Sequence, residues 1–271
     1  MSAPYQHNSL IQHVFFDNDG TLYPEPPDVK QRHLDAGIQA LQDMLPGQSE
    51  EALHSLIKES RIKHKSSFGI FTQEPFNLDV AALRANHYQK LQHFALKDFF
   101  DESASPIAGL ASLRIAGINT YIATHGNLDW THFSTQENSE ISRFFNDSKI
   151  HTKEDSPDMK GKNEGLEFYT SMLVRMGIPR TENIKDWGKT VAIQDDQLEN
   201  LYWANELGMM TTLIDKDGKY AQEEKGDFVK LTCKNANEAI EAIHLSNLDL
   251  QAKLDKTKGN TPTLKNEAYK V

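Results

Sequence analysis

Two aspartates, Asp17 and Asp19, directly follow a short apolar run and flank a turn that ends in glycine. The run Val14, Phe15 and Phe16 has the β-branched and aromatic residues of a buried strand, and Asp-Asn-Asp-Gly is turn chemistry. In open α/β sheets, ligands bind beyond the carboxyl ends of the strands. Carboxylates placed there can bind a hard cation, attack an electrophile or transfer a proton. For this segment alone, a turn without a catalytic role is the alternative interpretation.

Further polar residues follow two later apolar runs. Asp195 and Asp196 end the run at 190–194, and acids at the end of another strand can complete a metal site with the first pair. The run at 117–123 ends at Thr124, where a hydroxyl and the backbone amides after it suit a phosphate oxygen. The sequence therefore predicts a reactive site assembled from several strand ends.

Two lysines, Lys160 and Lys162, precede a segment whose apolar residues recur at helical spacing as far as Gly177. A positive charge at the start of a helix is opposed by the helix dipole. A lysine at this position therefore indicates a role other than stabilising the helix.

In this order, the four motifs resemble those of the haloacid dehalogenase (HAD) superfamily of aspartate-nucleophile phosphotransferases, over roughly residues 12 to 216. Residues 17–21 match the DxDGT motif, and Asp195-Asp196 match the closing acidic pair. The extension at 22–24 and the pattern at 195–209 look like the pyrimidine 5'-nucleotidase-like branch. The resemblance implies an α/β fold: a Rossmann-like doubly wound parallel sheet with an inserted α-helical cap.

The same resemblance implies a catalytic role for each motif residue. Asp17 would be the nucleophile that forms an aspartyl-phosphate, and Asp19 would be the general acid and base. Thr124 would hold a phosphate oxygen, and Lys162 would keep Asp17 ionised beside the phosphoryl group. The distance to the following helix favours Lys162 over Lys160, which remains the alternative for the motif lysine.

Magnesium is the implied cofactor, because several carboxylates cannot surround a phosphate dianion without a cation. The expected ligands are Asp17, Asp196 and the backbone carbonyl of Asp19. Asp195 is expected to act through water or at one remove from the ion.

Three residues are predicted to bind the substrate: Thr21, His125 and Gly126. The superfamily commonly has asparagine where this chain has His125, which either changes the substrate preference or forms a local hydrogen bond. An acid at Asp19 favours a phosphatase, because the dehalogenases of the superfamily lack an acid there.

The interval between the first two motifs is far longer than a βαβ crossover requires, and three of its segments show helical spacing. These segments are 31–45, 50–64 and 80–96. The predicted domains are a discontinuous core at 12–24 and 105–246, a helical cap at 25–104, and a polar, mobile tail at 247–271. Within the cap, Phe68 and Phe71 are interpreted as core residues, with base stacking as the alternative.

Composition excludes several classes of protein. The formal net charge of -10 argues against nucleic-acid polymers as partners. Apolar runs of about eighteen residues, the length of a membrane span, are missing, and residues 1–12 do not resemble a secretory signal. The one cysteine, Cys233, cannot form an intrachain disulfide, and the sequence therefore predicts a cytoplasmic protein.

The sequence thus predicts a magnesium-dependent phosphomonoester hydrolase that acts on a small phosphorylated metabolite. A pyrimidine nucleoside 5'-monophosphate is the expected substrate by resemblance alone. Alternatives within the superfamily are a sugar-phosphate or phosphoglycolate phosphatase, or a phosphomutase. The alternative of another class is a non-catalytic, phosphate-binding regulatory protein. The oligomeric state is left open.

Overall fold

The apolar runs of the sequence form parallel strands of one sheet. The computed structural model describes residues 9–23, 27–64, 66–91, 105–137 and 140–257. The strands are β1 (His13–Phe16), β2 (Asn119–Ala123), β3 (Ile150–His151), β4 (Val191–Asp195), β5 (Met210–Ile214) and β6 (Leu231–Cys233). The helices are α1 (Pro27–Met44), α2 (Glu50–His64), α3 (Val80–Leu91), α4 (Ile107–Ile115), α5 (Leu128–Glu137), α6 (Glu167–Arg175), α7 (Leu201–Glu206), α8 (Gln222–Lys225) and α9 (Ala236–Thr257).

Within the described residues, the sheet has six parallel strands in the order β3-β2-β1-β4-β5-β6. Strand β1 lies at its centre, with Phe16 in register with Ile122 of β2 and Gln194 of β4. The chain order reverses between β1 and β4, and ligands of open α/β sheets bind at such a switch point. The predicted doubly wound parallel sheet is confirmed.

Helices cover both faces of the sheet, because alternate side chains of each buried strand point to opposite sides. Val14 and Phe16 pack with apolar residues of α4 and α9. Phe15 points to the other face and packs with residues of α6 and α7. All three side chains have no exposed surface, and burying each one contributes about 1.5 to 3 kcal/mol. This packing holds the ends of β1 and β4 side by side.

Helices α1, α2 and α3 fall between β1 and the rest of the core and have an apolar cluster of their own. Phe71 is fully buried in that cluster, and Phe68 is 6% exposed. Their packing agrees with the interpretation of both as core residues. The separate cluster supports a cap at 25–104, and these exact bounds stay a prediction because 24–26 and 92–104 lie outside the described residues.

The last helix is longer than expected. Helix α9 continues to Thr257, through eleven residues that the sequence analysis placed in a mobile tail. The Asn247 side chain explains part of the difference, because it donates to the Ile11 carbonyl (2.9 Å) and accepts from the Ile11 amide (2.7 Å). The remainder of the predicted tail, 258–271, lies outside the described residues. Among the described helices, none is long and apolar enough to cross a bilayer.

Candidate active site

Three carboxylates meet where β1 and β4 end. The Asp17 amide donates to the Gln194 carbonyl (2.8 Å), which continues the ladder between the two strands by one residue. Asp195 is the last residue of β4 and Asp196 follows it. One oxygen from each of these three aspartates lies within 4.8 Å of the others. The structure therefore brings the first and the last acidic motif of the sequence into one group.

Gly20 makes the close approach of Asp196 possible. Its φ of +80° is a conformation that side-chain-bearing residues rarely adopt. A Cβ atom at this position would lie 2.6 Å from Oδ2 of Asp196. The DxDG turn thus needs glycine both for its backbone and for the room that the carboxylate occupies.

Lys162 lies among these carboxylates with no exposed surface. Its Nζ donates to Oδ1 of Asp17 (2.7 Å), to Oδ2 of Asp195 (2.5 Å) and to the Ala123 carbonyl (3.2 Å). Lys160 instead forms an ion pair with Glu167 at the surface (2.5 Å). Of the two candidate lysines, the structure brings Lys162 to Asp17.

The charges of this group are unbalanced. Burial lowers the pKa of Lys162, but Asp17 and Asp195 outweigh it and raise the pKa above its usual value. Burial also raises the pKa of Asp17 well above its usual range, Lys162 opposes that shift, and the neighbouring carboxylates reinforce it. One ammonium cannot neutralise three carboxylates, of which Asp17 and Asp195 are buried and Asp196 is half-buried. The excess negative charge and the all-oxygen donor set fit a hard divalent cation such as Mg²⁺.

Asp195 is committed to contacts within the protein. Its Oδ1 accepts from the Gln197 amide and from Nδ2 of Asn200, both at 2.9 Å, while its Oδ2 accepts from Lys162. With both oxygens engaged, Asp195 is suited to hold Lys162 in place. Asp17 and Asp196 are better placed to bind an ion directly. The carboxylate of Asp19 is not part of the acidic group in the described part of the chain, and a ligand role for its backbone carbonyl stays a prediction.

The loop after β2 contains Thr124, His125 and Gly126. The Gly126 amide donates to Oγ1 of Thr124 (2.9 Å), which leaves the hydroxyl proton available to a phosphate oxygen. His125 Nε2 accepts from the Lys162 amide (2.7 Å). Burial lowers the pKa of His125 well below its usual value, and nearby cations add to the shift, so the ring is neutral with its proton on Nδ1.

His125 therefore fixes the segment that carries the lysine, which explains histidine at this position by a local hydrogen bond. Gly161 permits the contact, because a Cβ atom there would lie 2.6 Å from Nε2 of His125. Thr21 is different: its hydroxyl is buried and has no hydrogen-bond partner among the described residues. A part for Thr21 in substrate binding stays a prediction.

Asp19 is oriented by two residues that the sequence analysis missed. Nε1 of Trp130 donates to Oδ1 of Asp19 (2.8 Å), and the Tyr23 hydroxyl donates to the same oxygen. Trp130 is fully buried between the core and cap residues that include Tyr88. A tryptophan in the first turn of the helix after the Thr124 motif was the available signal. Two donors on Oδ1 leave Oδ2 as the oxygen that can exchange a proton.

A cavity of about 310 Å³ lies between this site and the cap. Asp19, His125 and Gly126 line it from the core side, whereas Arg61, Ser66, Ser67, Phe68, Arg84, His87 and Tyr88 are among the residues that line it from the cap. The predicted general acid and two of the predicted substrate-binding residues therefore face one cavity that is open to solvent on one side. Arg61 and Arg84 were not identified from the sequence.

No protein-family model matches the sequence, and no curated protein matches it. Solved structures do match. CbbY from Rhodobacter sphaeroides in complex with phosphate is 17% identical, with a TM-score of 0.59, and the match covers 87% of this chain and 100% of that chain. A HAD phosphatase from Thermococcus onnurineus is 19% identical, with a TM-score of 0.59, over 85% of this chain and 97% of that chain.

A mutant of the same CbbY, in complex with xylulose-1,5-bisphosphate, is 17% identical, with a TM-score of 0.57, over 84% of this chain and 96% of that chain. At such low identity, likeness establishes the fold alone. The chain has the α/β fold of HAD-superfamily proteins.

Proposed function

We propose that this protein is a magnesium-dependent phosphomonoester hydrolase that works through an aspartyl-phosphate on Asp17. The observation that carries the proposal is the position of Nζ of Lys162, 2.7 Å from Asp17 and 2.5 Å from Asp195, with Asp196 in the same acidic group. This arrangement gives a nucleophile, a fixed positive charge and the oxygen ligands for a cation at one strand edge.

The proposed reaction has two steps. In the first, an oxygen of Asp17 forms a bond to phosphorus while the bond to the leaving oxygen breaks, and Asp19 gives that oxygen a proton. In the second, Asp19 takes a proton from a water molecule that attacks the phosphorus, which releases phosphate and restores Asp17. When bound, Mg²⁺ supplies the positive charge that lets an anionic nucleophile approach an anionic phosphoryl group. Thr124 holds a phosphoryl oxygen during both steps, and Lys162, whose three donors go to Asp17, Asp195 and the Ala123 carbonyl, keeps a positive charge beside the nucleophile.

Proton transfer by Asp19 accounts for about 10² to 10⁴ in rate, far less than hydrolysis of a phosphate monoester requires. The remainder must come from positioning and charge neutralisation, which dominate phosphoryl transfer. The buried Lys162 and the ion ligands are therefore expected to matter at least as much as the acid.

Several classes of substrate are compatible with this reaction. The motif resemblance favours a pyrimidine nucleoside 5'-monophosphate, whereas the xylulose-bisphosphate complex of CbbY favours a sugar phosphate. A phosphoglycolate phosphatase and a phosphomutase are alternatives with the same core. A regulatory protein that binds phosphate without turnover is the alternative of another class, and the presence of both Asp17 and Asp19 speaks against it.

The test is release of phosphate from para-nitrophenyl phosphate, with Mg²⁺ and with a chelator. We expect turnover that requires the ion, and we expect Asp17→Asn to lower kcat/KM by about 10⁴-fold or more, because the nucleophile is lost. Asp158→Asn, a change at an exposed aspartate, is the control with the same change of charge. Absence of turnover by the wild-type protein on para-nitrophenyl phosphate, nucleotides and sugar phosphates would favour the regulatory alternative.

A further inference from the structure

The cavity under the cap is cationic, although the whole chain has a formal net charge of -10. Arg61, Arg84 and Lys153 line it, and Asp19 is the one carboxylate among the lining residues that the structure describes. The histidines of the lining do not change this balance, because burial lowers the pKa of His33, His87 and His125. The side chains that line the cavity thus suit an anionic ligand better than a cationic one.

Arg84 and Lys153 are fixed parts of the cavity wall. Arg84 pairs with Glu154 (2.7 Å) and donates from Nη2 to the His125 carbonyl (2.6 Å). Lys153 pairs with Glu164 (2.6 Å). Neither glutamate is among the residues that line the cavity. Each of these two cations is therefore balanced by its own glutamate, and their contacts keep the wall in shape.

Arg61 differs from them. It lies in the last turn of α2 at the exposed rim of the cavity, and its Nε donates to Oγ of Ser67 (2.9 Å). In the part of the chain that the structure describes, no carboxylate lies within ion-pair distance of its guanidinium. The Ser67 contact fixes the direction of the side chain and leaves its Nη donors unused. A guanidinium with free parallel donors is suited to bind a carboxylate or phosphate at two points.

We infer that Arg61 binds a second anionic group of the substrate. This inference rests on the proposed function and gives its substrate class: phosphomonoesters whose leaving group carries a carboxylate or another phosphate. The transferring phosphoryl group lies at Asp17, the leaving oxygen lies at Asp19, and the second anion lies across the cavity at Arg61. A nucleoside leaving group carries no charge for Arg61 and leaves its donors unpaired.

The experiment compares pairs of substrates that differ in the second charge. Phosphoglycolate is compared with 2-hydroxyethyl phosphate, and a pentose 1,5-bisphosphate is compared with the pentose 5-phosphate. For the wild-type protein we expect kcat/KM to be about tenfold or more higher for the member with the second anionic group, in at least one pair. An increase of this size is what one charge-assisted hydrogen bond contributes.

Arg61→Gln is expected to remove that preference and to lower kcat/KM much less for para-nitrophenyl phosphate than for the substrates with a second anionic group, because para-nitrophenyl phosphate has no second anion to lose. Arg61→Lys should keep part of the preference, since a lysine supplies the charge without the paired donors. Lys58→Gln, an exposed change of the same charge on the same helix, is the matched control and should retain the full preference.

The outcomes separate the two levels of the proposal. Two results would overturn the inference and leave the phosphatase function standing. In the first, the wild-type protein hydrolyses para-nitrophenyl phosphate but has no preference in either pair. In the second, it prefers UMP to every substrate with a second anionic group. An equal loss on all substrates in Arg61→Gln also overturns it, because that result indicates a structural role. If no phosphomonoester is hydrolysed, the proposed function itself fails.

Discussion

The acidic site at the sheet edge and the cationic cavity under the cap are built in opposite ways. At the sheet edge, Asp17, Thr124 and Asp195 lie at the ends of strands, and Lys162, which precedes α6, is buried with both of its carboxylate partners within 2.7 Å. In the cavity, the cations come from helices and loops, and Arg61 is exposed at the rim. The first region has little freedom to change, and the second can change its residues without disturbing the sheet.

This difference indicates that the two regions have different roles. Under the proposed function, a substitution at the sheet edge should affect every substrate, because the same phosphoryl group is transferred in each case. A substitution in the cavity should affect substrates selectively, because only the leaving group differs. Three further predictions test where the boundary between the two regions lies.

The largest effect is expected for Lys162→Met. The substitution leaves Asp17 and Asp195 buried without their cation, and breaking such a buried pair costs about 3 to 5 kcal/mol of unfolding free energy. We expect kcat/KM to fall by about 10²- to 10³-fold for all substrates alike. Denaturant unfolding and steady-state kinetics measure the two effects.

Lys160→Met is the control for this change, because Lys160 makes only a surface pair with Glu167. It should leave both measurements unchanged. A larger loss of activity in Lys160→Met than in Lys162→Met would contradict the assignment of the motif lysine.

Trp130→Phe should have an intermediate effect that depends on the leaving group. It removes the donor to Oδ1 of Asp19, so the acid is less well oriented toward the leaving oxygen. We expect kcat/KM to fall by about tenfold for alkyl phosphates, which need a proton on departure, and by less than about twofold for para-nitrophenyl phosphate. A plot of rate against leaving-group basicity should therefore steepen.

Trp187→Phe is the matched control for that prediction. Trp187 is 4% exposed and donates from Nε1 to the Ile178 carbonyl (3.2 Å), in the apolar cluster on one face of the sheet. Trp187→Phe should lower the stability of the protein without steepening the plot of rate against leaving-group basicity. If Trp130→Phe slows all substrates equally, Trp130 supports the structure and does not orient the acid.

The smallest effect concerns stability and pH. His87 lines the cavity at 8% exposure, and burial lowers its pKa from 6.5 to about 3. Below pH 6.5 the unfolded chain takes up a proton that the folded chain does not, so stability falls as the pH is lowered. Between pH 7 and pH 5 this group should contribute a loss of about 2 kcal/mol.

His87→Gln keeps a donor for the His33 carbonyl, which lies 3.0 Å from Nε2 of His87, and removes the titrating group. Between pH 7 and pH 5, the unfolding free energy of His87→Gln should therefore fall by about 2 kcal/mol less than that of the wild-type protein. His54→Gln, an exposed change on α2, should retain the slope of the wild-type protein. Equal slopes in all three proteins would show that His87 is not responsible.

The sequence was informative where a residue's position follows from a strand. The apolar runs before Asp17, Thr124 and Asp195 have the period and composition of buried strands, and parallel strands end at one edge. Those rules predict that the motifs meet. The choice of Lys162 also followed from spacing to the next helix, and the structure places its amine at Asp17.

The residues that the sequence analysis missed have contacts that no local period encodes. Trp130 reaches Asp19 across the core, and Arg61 reaches the cavity from a helix whose spacing predicts only which face is buried. Side-chain direction and partners at such positions depend on how the cap packs on the core. The extension of α9 has the same cause, since the hydrogen bonds of Asn247 to Ile11 join residues at opposite ends of the described chain.

The central position of β1 has a consequence for synthesis of the protein. Strand β1 leaves the ribosome first, but its neighbours β2 and β4 come much later, and the Asp17 amide finds its partner only when Gln194 has been made. A nascent chain that stops before Val191 carries Asp17 without β4 and without the two acids at the end of that strand. Tight binding of a divalent ion at this acidic group would therefore appear only after Asp196 has been made, and it would report that β1 and β4 have paired.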